Sequence, residues 1–289
     1  LGWKTKRKLV AFSVDDYGNV RLASREAGEK IKASGLSSPS KFDQYDCLET
    51  RRDLEMLFEA LSSVSDTSGN HAVFTLLTVP CNIDFEKMAE NDFYDYHYEL
   101  LPQTYEKLSS IDPKAYLGAW KLWKQGISEG LIVPQFHGRE HFNLKVFEEK
   151  LKARDRILLT SLQNRSNAFV RESGYSTINY TASFQFWDFS ENDLLKEIIS
   201  DGLKCFEIVF GRNATEFNAP GGFENSILHK PLYDKGIKYL YTGRIRKEHQ
   251  GFGNFKTSKN IFFTGKRNAL GQIFIVKNCV FEPTEERGF

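Results

Sequence analysis

The sequence predicts an α/β protein, an irregular (β/α) barrel of about seven parallel strands. Short apolar, β-prone runs alternate with segments of helical spacing through most of the chain, an order that implies parallel strands joined by right-handed crossovers. Acids and histidines stand just past several of those runs, at the carboxyl edge where ligands bind in such folds. No low-complexity tract, long linker or internal repeat interrupts the 289 residues, so the chain, 1–289, reads as a single domain with room for a full-sized core.

Taken in order, Lys8 to Val14 is the first strand, uncharged after Lys8 as expected of a strand covered on both faces, and it runs into Asp15-Asp16-Tyr17-Gly18. Val20 to Ala33 is helical and ends at Gly35; Ser37 to Asp46, with Pro39, is a loop. Leu48 to Leu61 returns to helical spacing, with Leu54, Leu57, Phe58 and Leu61 on one face. Ala72 to Thr78 is a second buried strand, ended by Pro80. The chain to about Glu129 is mostly helical and rich in aromatics, and Trp120 and Trp123, three apart, read as core. Leu131 to Phe136 is a third strand, followed at once by His137-Gly138-Arg139-Glu140-His141. Leu144 to Gln163 reads as one charged amphipathic helix, and Ala182 to Phe186 as a fourth strand leading to Trp187 and Asp188. Ser190, with Asp193 three residues on, caps a helix whose buried face is Leu194, Leu195, Ile198, Ile199 and Leu203. Thr215 to Asn218 is a fifth strand ending in the tight turn Ala219-Pro220-Gly221-Gly222. A short helix from Asn225 to Lys235, a sixth strand from Ile237 to Tyr241, and two strands between Asn260 and Val280 around a turn at Gly265 to Gly271 complete the chain.

Composition excludes several classes of function. A net charge of +1 and a pI near 7.8 offer no electrostatic footprint for nucleic acid or an anionic membrane. No apolar run approaches the ~20 residues of a transmembrane helix. No signal peptide is visible, which favours the cytoplasm, although a chain that begins at Leu1 leaves room for a segment upstream. The four cysteines (Cys47, Cys81, Cys205, Cys279) form no C-x-x-C pair and are expected as buried thiols.

Asp15-Asp16 and the His137/His141 pair both follow strands, so in a barrel they share one face although 121 positions separate them. One carboxylate and two imidazoles suit a divalent, zinc-like ion, and three protein ligands leave a place for water. The second carboxylate is then free to take a proton from that water. Trp187, also just past a strand, is the aromatic residue expected at the site. A competing match, the His-x-x-Glu-His pattern of inverted zincin peptidases with Glu140 as base, needs a continuous helix across Gly138.

These residues resemble the motifs of the NodB-like polysaccharide deacetylases. Phe12-Ser13-Val14-Asp15-Asp16-Tyr17-Gly18 is similar to their Thr-Phe-Asp-Asp-Gly, with one residue more before the glycine. His137-Gly138-Arg139-Glu140-His141 is similar to their His-Ser/Thr-x-x-His, and Phe217-Asn218-Ala219-Pro220-Gly221-Gly222 to their Phe-Arg-Pro-Pro-Tyr-Gly. The resemblance implies a seven-stranded β/α barrel that hydrolyses N- or O-linked acetyl groups on a sugar or polysaccharide with a divalent metal, usually zinc. By the same resemblance Asp15 is the general base, Asp16, His137 and His141 hold the metal, and a backbone N–H near Gly221 stabilises the oxyanion. The departures are specific. Asn218 replaces an arginine that orients the base, Gly221 replaces a tyrosine, the fourth motif has no counterpart, and no late histidine follows a strand to serve as acid. His229 is expected on a helix surface and His249 in a basic loop, and the chain stops at Arg287-Gly288-Phe289 soon after a strand. Two alternatives therefore stay open: a carbohydrate-binding relative that keeps the metal site without turnover, and a hydrolase of non-peptide C–N bonds other than sugar acetamides.

Overall fold

A computed structural model describes residues 2, 4–37, 40, 42–170, 178–222 and 224–279. Six strands form one parallel sheet: β1 (Phe12–Tyr17), β2 (Phe74–Thr78), β3 (Ile132–Phe136), β4 (Glu216–Phe217), β5 (Tyr239–Tyr241) and β6 (Ile273–Ile275). They are hydrogen-bonded in chain order, and helices cover the connections from β1 through β5. Two short antiparallel pairs, Cys81–Ile83 with Tyr98–Leu100 and Lys247–His249 with Phe255–Thr257, stand outside the sheet.

The sheet curls. β1 and β6 are its opposite edges, yet Lys277, two residues past β6, places Nζ 2.9 Å from Asp15 of β1. The result is a half-barrel whose carboxyl-end rims meet through side chains rather than through a ladder. β2 and β3 lie inside the sheet, and Leu76, Leu77, Ile132 and Phe136 are fully buried. The helix Glu191–Phe210 covers β3, with Phe206 edge-on to Phe136. Gly202 permits that approach, because a Cβ there would lie 2.9 Å from Phe136 Cζ and 2.8 Å from Arg139 Cβ. Trp123 is fully buried and donates through Nε1 to the Tyr105 hydroxyl at 2.8 Å, a partner that a buried indole N–H needs.

Several expectations are corrected. β1 begins at Phe12 and is an edge strand, with Leu9 and Val10 exposed, because no strand among the described residues pairs with its free side. Ala182–Phe186 is not a strand. Its alternating pattern arises from packing on both sides, and its carbonyls are taken by Asn143 Nδ2, which donates to Ala182 O at 3.1 Å and Gln185 O at 2.7 Å. Leu144 to Gln163 is two helices, Leu144–Lys152 and Arg156–Gln163, separated where Arg154 takes a positive φ of 52° and Asp155 caps the second. Ser190 makes no capping bond. Glu191 instead accepts from the N–H groups of Trp187 and Asp188, and Leu194 is exposed. Residues 225–235 form a 3₁₀ turn, Ser226–Leu228, and a short helix, His229–Asp234. Of the two strands expected between Asn260 and Val280 only β6 forms, with Arg267 making an isolated bridge to Ile273. Pro39, Val280 and the last nine residues lie outside the described residues. Cys81 and Cys205 are buried, whereas Cys47 and Cys279 are exposed.

Candidate metal centre

Asp16, His137 and His141 converge at the carboxyl rim of the sheet. His137 Nε2 lies 3.0 Å and His141 Nε2 2.8 Å from the same Asp16 oxygen, Oδ1. One ligand atom from each of the three residues lies within 4.8 Å of the other two. This donor set fits a divalent ion of the zinc type: two imidazoles and a carboxylate, with His137 buried and the other two half-buried. His137 Nδ1 lies 2.8 Å from the Asn218 carbonyl, so Nδ1–H donates there, which leaves Nε2 as the ring atom that faces the cradle and would be offered to an ion.

Local backbone geometry builds the cradle. Between Val14 and Tyr17 the β1 strand holds one residue more than the facing segment of β2, a β-bulge at Asp15-Asp16. Asp16 sits in the left-handed region at φ 70°, which costs on the order of 1 kcal/mol for a non-glycine residue, least for Asp and Asn. Gly18, at φ 78°, could carry no side chain, since a Cβ would lie 2.8 Å from the Val79 carbonyl. Its N–H donates to Glu49 Oε1 at 3.1 Å. On the other side His137 follows β3 directly and its N–H donates to Thr78 O at 3.0 Å. Gly138, at φ 104°, packs against Pro220 and turns the chain so that His141 faces His137.

Residues 137–143 are not helical, so the inverted zincin arrangement is absent. Glu140 points away into a buried bidentate pair with Arg139, at 2.6 and 3.0 Å. Arg139 also donates to Asp201 at 2.9 Å and lies over the Tyr98 ring.

Burial opposes ionisation of Asp16, but the charge of His141 and the hydrogen bonds from both rings outweigh it and hold the carboxyl well below the usual range. Asp46, whose carboxyl feels both Asp16 and His141, is pushed up to about 6, chiefly by burial. Asp15 projects elsewhere: both of its oxygens accept from Lys277 Nζ, at 2.9 and 3.0 Å.

The centre opens into a cleft of about 870 Å³ that also includes Asn218, Gly221, Gly222, Phe42, Tyr180, Tyr241 and the Arg21–Asp43 pair. Trp187 is not among the cleft residues. It packs edge-on to Phe252, because the segment before it is a turn rather than a strand aimed at the rim. Pro220 is buried behind the turn. The Gly222 N–H donates to Ala219 O, while Gly221 lines the cleft. His229 and His249 are both buried away from the cleft, His229 against Glu224 at 2.8 Å and His249 in the outer hairpin. Sequence reasoning missed Tyr241 and Lys277. Each follows or ends a late strand, the same signal that singled out Asp15 and His137.

No family model and no curated protein matches the chain. Among solved structures it is similar to IcaB from Ammonifex degensii (12% identity, TM-score 0.38, 94% of this chain and 93% of that one). It is similar to a polysaccharide deacetylase from Bacillus cereus (10%, 0.36, 93% and 62%). A GH57 branching enzyme from Thermococcus kodakaraensis is also similar (11%, 0.42), with 93% of this chain against 47% of the enzyme. These likenesses are distant, and the chemistry is read from this chain's own side chains.

Proposed function

We propose that the protein is a metal-dependent hydrolase that removes acetyl groups, N- or O-linked, from a sugar or polysaccharide. The observation that supports this reading is the Asp16–His137–His141 cradle with the separate Asp15 carboxylate beside it in one cleft. Asp16, His137 and His141 would hold the ion, which would supply carbonyl polarisation and a more acidic water. Asp15, adjacent in sequence but turned apart by the bulge, takes the proton from the attacking water. The Gly221 N–H is assigned to the developing oxyanion. Pro220 and Asn218 act indirectly, Pro220 by supporting Gly138 and Asn218 by orienting His137 through its carbonyl. Phe42, exposed at the cleft, gives an aromatic face that a sugar ring would stack against, while Tyr180 and Tyr241 are buried in the cleft wall.

The test is acetate release from a panel of acetylated glycans by zinc-loaded protein, compared with Asp15→Asn and His137→Ala. Both substitutions are expected to reduce turnover by at least about 10²-fold. Release that survives both sinks the assignment, and zinc binding without release from any glycan points to a binding protein instead.

A further inference from the structure

The cleft holds two charged pairs that the cradle does not use, Arg21–Asp43 and Asp15–Lys277, and the second joins two edges of the sheet. Asp15 and Lys277 come from opposite edges of the sheet and meet at 2.9 and 3.0 Å. The backbone before Lys277 is fixed although β6 has ended: Val276 N–H donates to Thr264 Oγ1 at 3.0 Å, and the Thr264 hydroxyl donates back to Val276 O at 3.2 Å. Other ionisable side chains of the cleft are engaged elsewhere. Asp16 meets the two histidines, Arg21 pairs with Asp43, and the Tyr241 hydroxyl donates to Glu216 at 2.8 Å.

Cleaving an acetamide needs two proton movements, one off the attacking water and one onto the leaving nitrogen. Asp15 can make the first. The second needs a donor in the same cleft, and the Lys277 ammonium stands against Asp15 with its charge unused by the cradle. We propose that Lys277 is the proton donor to the leaving group and that Asp15 restores it. This rests on the deacetylase reading above.

The steps balance. Water gives a proton to Asp15 as its oxygen bonds to the acyl carbon. The C–N bond breaks, nitrogen keeps the bonding pair, and Lys277 gives it a proton. Asp15, now a neutral acid, passes its proton to the neutral Lys277 amine across their existing contact. Carboxylate and ammonium end as they began.

The experiment compares Lys277→Met and Lys277→Arg in the zinc-loaded full chain on two substrates: an N-acetylated chito-oligosaccharide and 4-nitrophenyl acetate, whose phenolate leaves without a proton. Arginine keeps the charge beside Asp15 but does not release its proton. Both variants are expected to lose about 10²–10⁴-fold on the amide and less than about tenfold on the ester. Amide turnover retained by Lys277→Arg reduces Lys277 to a positioning charge and overturns the proposal, as does an equal loss on both substrates. Wild type that releases acetate from neither 4-nitrophenyl acetate nor any glycan of the panel removes the deacetylase reading and the proposal with it. Mass-spectrometric acylation of Lys277 needs no turnover: the label should enter several-fold faster in Asp15→Asn than in wild type. Equal rates mean that the pair does not exist in solution, and the proposal falls.

Discussion

Removing one imidazole from the cradle should abolish a metal-linked gain in stability. A ligand that binds only the folded chain stabilises it by about 2.7 kcal/mol when free metal is 100 times Kd. Unfolding entropy near 2.1 cal/mol/K per residue gives roughly 0.6 kcal/mol/K for a chain of 289 residues, so wild type should gain about 4 °C in Tm. His141 supplies one of the three ligand atoms gathered at Asp16. Its loss should weaken binding by at least the ~100-fold at the upper end of the cost of losing an outer-shell partner. At the same free zinc the gain then falls to about 0.4 kcal/mol, under ~1 °C. The assay is differential scanning fluorimetry at buffered free zinc for wild type, His141→Ala and Asp15→Asn, each compared with its own metal-free form. Asp15→Asn should keep the shift, because Asp15 faces Lys277 rather than the histidines. Equal shifts in wild type and His141→Ala would refute the cradle, as would a shift lost in Asp15→Asn and kept in His141→Ala.

Burial pushes the Glu49 carboxyl up to about 7, against the hydrogen bonds it accepts from Gly18 and Tyr105. The folded value lies above the unfolded one of about 4.3, so this group favours folding most at low pH and the benefit is lost as pH rises to about 7. Glu49→Gln should remove that decline, with a stability difference from wild type that grows by on the order of 1–3 kcal/mol between about pH 4 and 8; parallel pH profiles in urea titrations count against it. Gly202→Ala gains about 1 kcal/mol of helix propensity but places a methyl 3.1 Å from the Arg139 Cα, which cannot swing aside. Overpacking of about 1–3 kcal/mol should win, and a more stable variant by calorimetry would show that the helix shifts freely. Asp16→Ala and Asp16→Gly both delete the ligand, but only glycine accepts φ 70° without strain. In metal-free protein, the glycine variant should be the more stable by about 1 kcal/mol, and the reverse order in chemical denaturation means that the left-handed turn at Asp16 is not present in solution.

The parallel α/β order was legible because each strand is a short apolar run between helical patterns. Asp16 and His137 meet for the same reason: β1 and β3 run in one direction, so their carboxyl ends share a rim despite 121 intervening positions. Pattern alone misled where burial came from both sides without a ladder. Ala182, Phe184 and Phe186 alternate with buried Ser183 and Gln185, and nothing local distinguishes that turn from a strand. Trp187 failed with it, since its placement depended on that strand. The exposed start of β1 was hidden for the opposite reason: its apolar run looks like a covered strand, but coverage depends on whether β6 closes the ladder. Lys277 was illegible as a partner of Asp15 because 262 positions and the curl of the whole sheet lie between them.

The extra residue before Gly18 ties these observations together. In a regular strand, adjacent side chains alternate between faces, so one of two neighbouring carboxylates would point away from the other's surroundings. The bulge breaks that alternation just where the strand ends. Asp16, turned by its left-handed backbone, reaches the histidines of β3's loop; Asp15 stays on the rim and reaches across the seam to the loop after β6. The two acids therefore lie in one cleft but engage different partners, an imidazole pair on one side and an ammonium on the other. Asn218 fits the same arrangement. Its contribution is a backbone carbonyl that accepts from His137, available from any residue, while the charge beside Asp15 comes from Lys277.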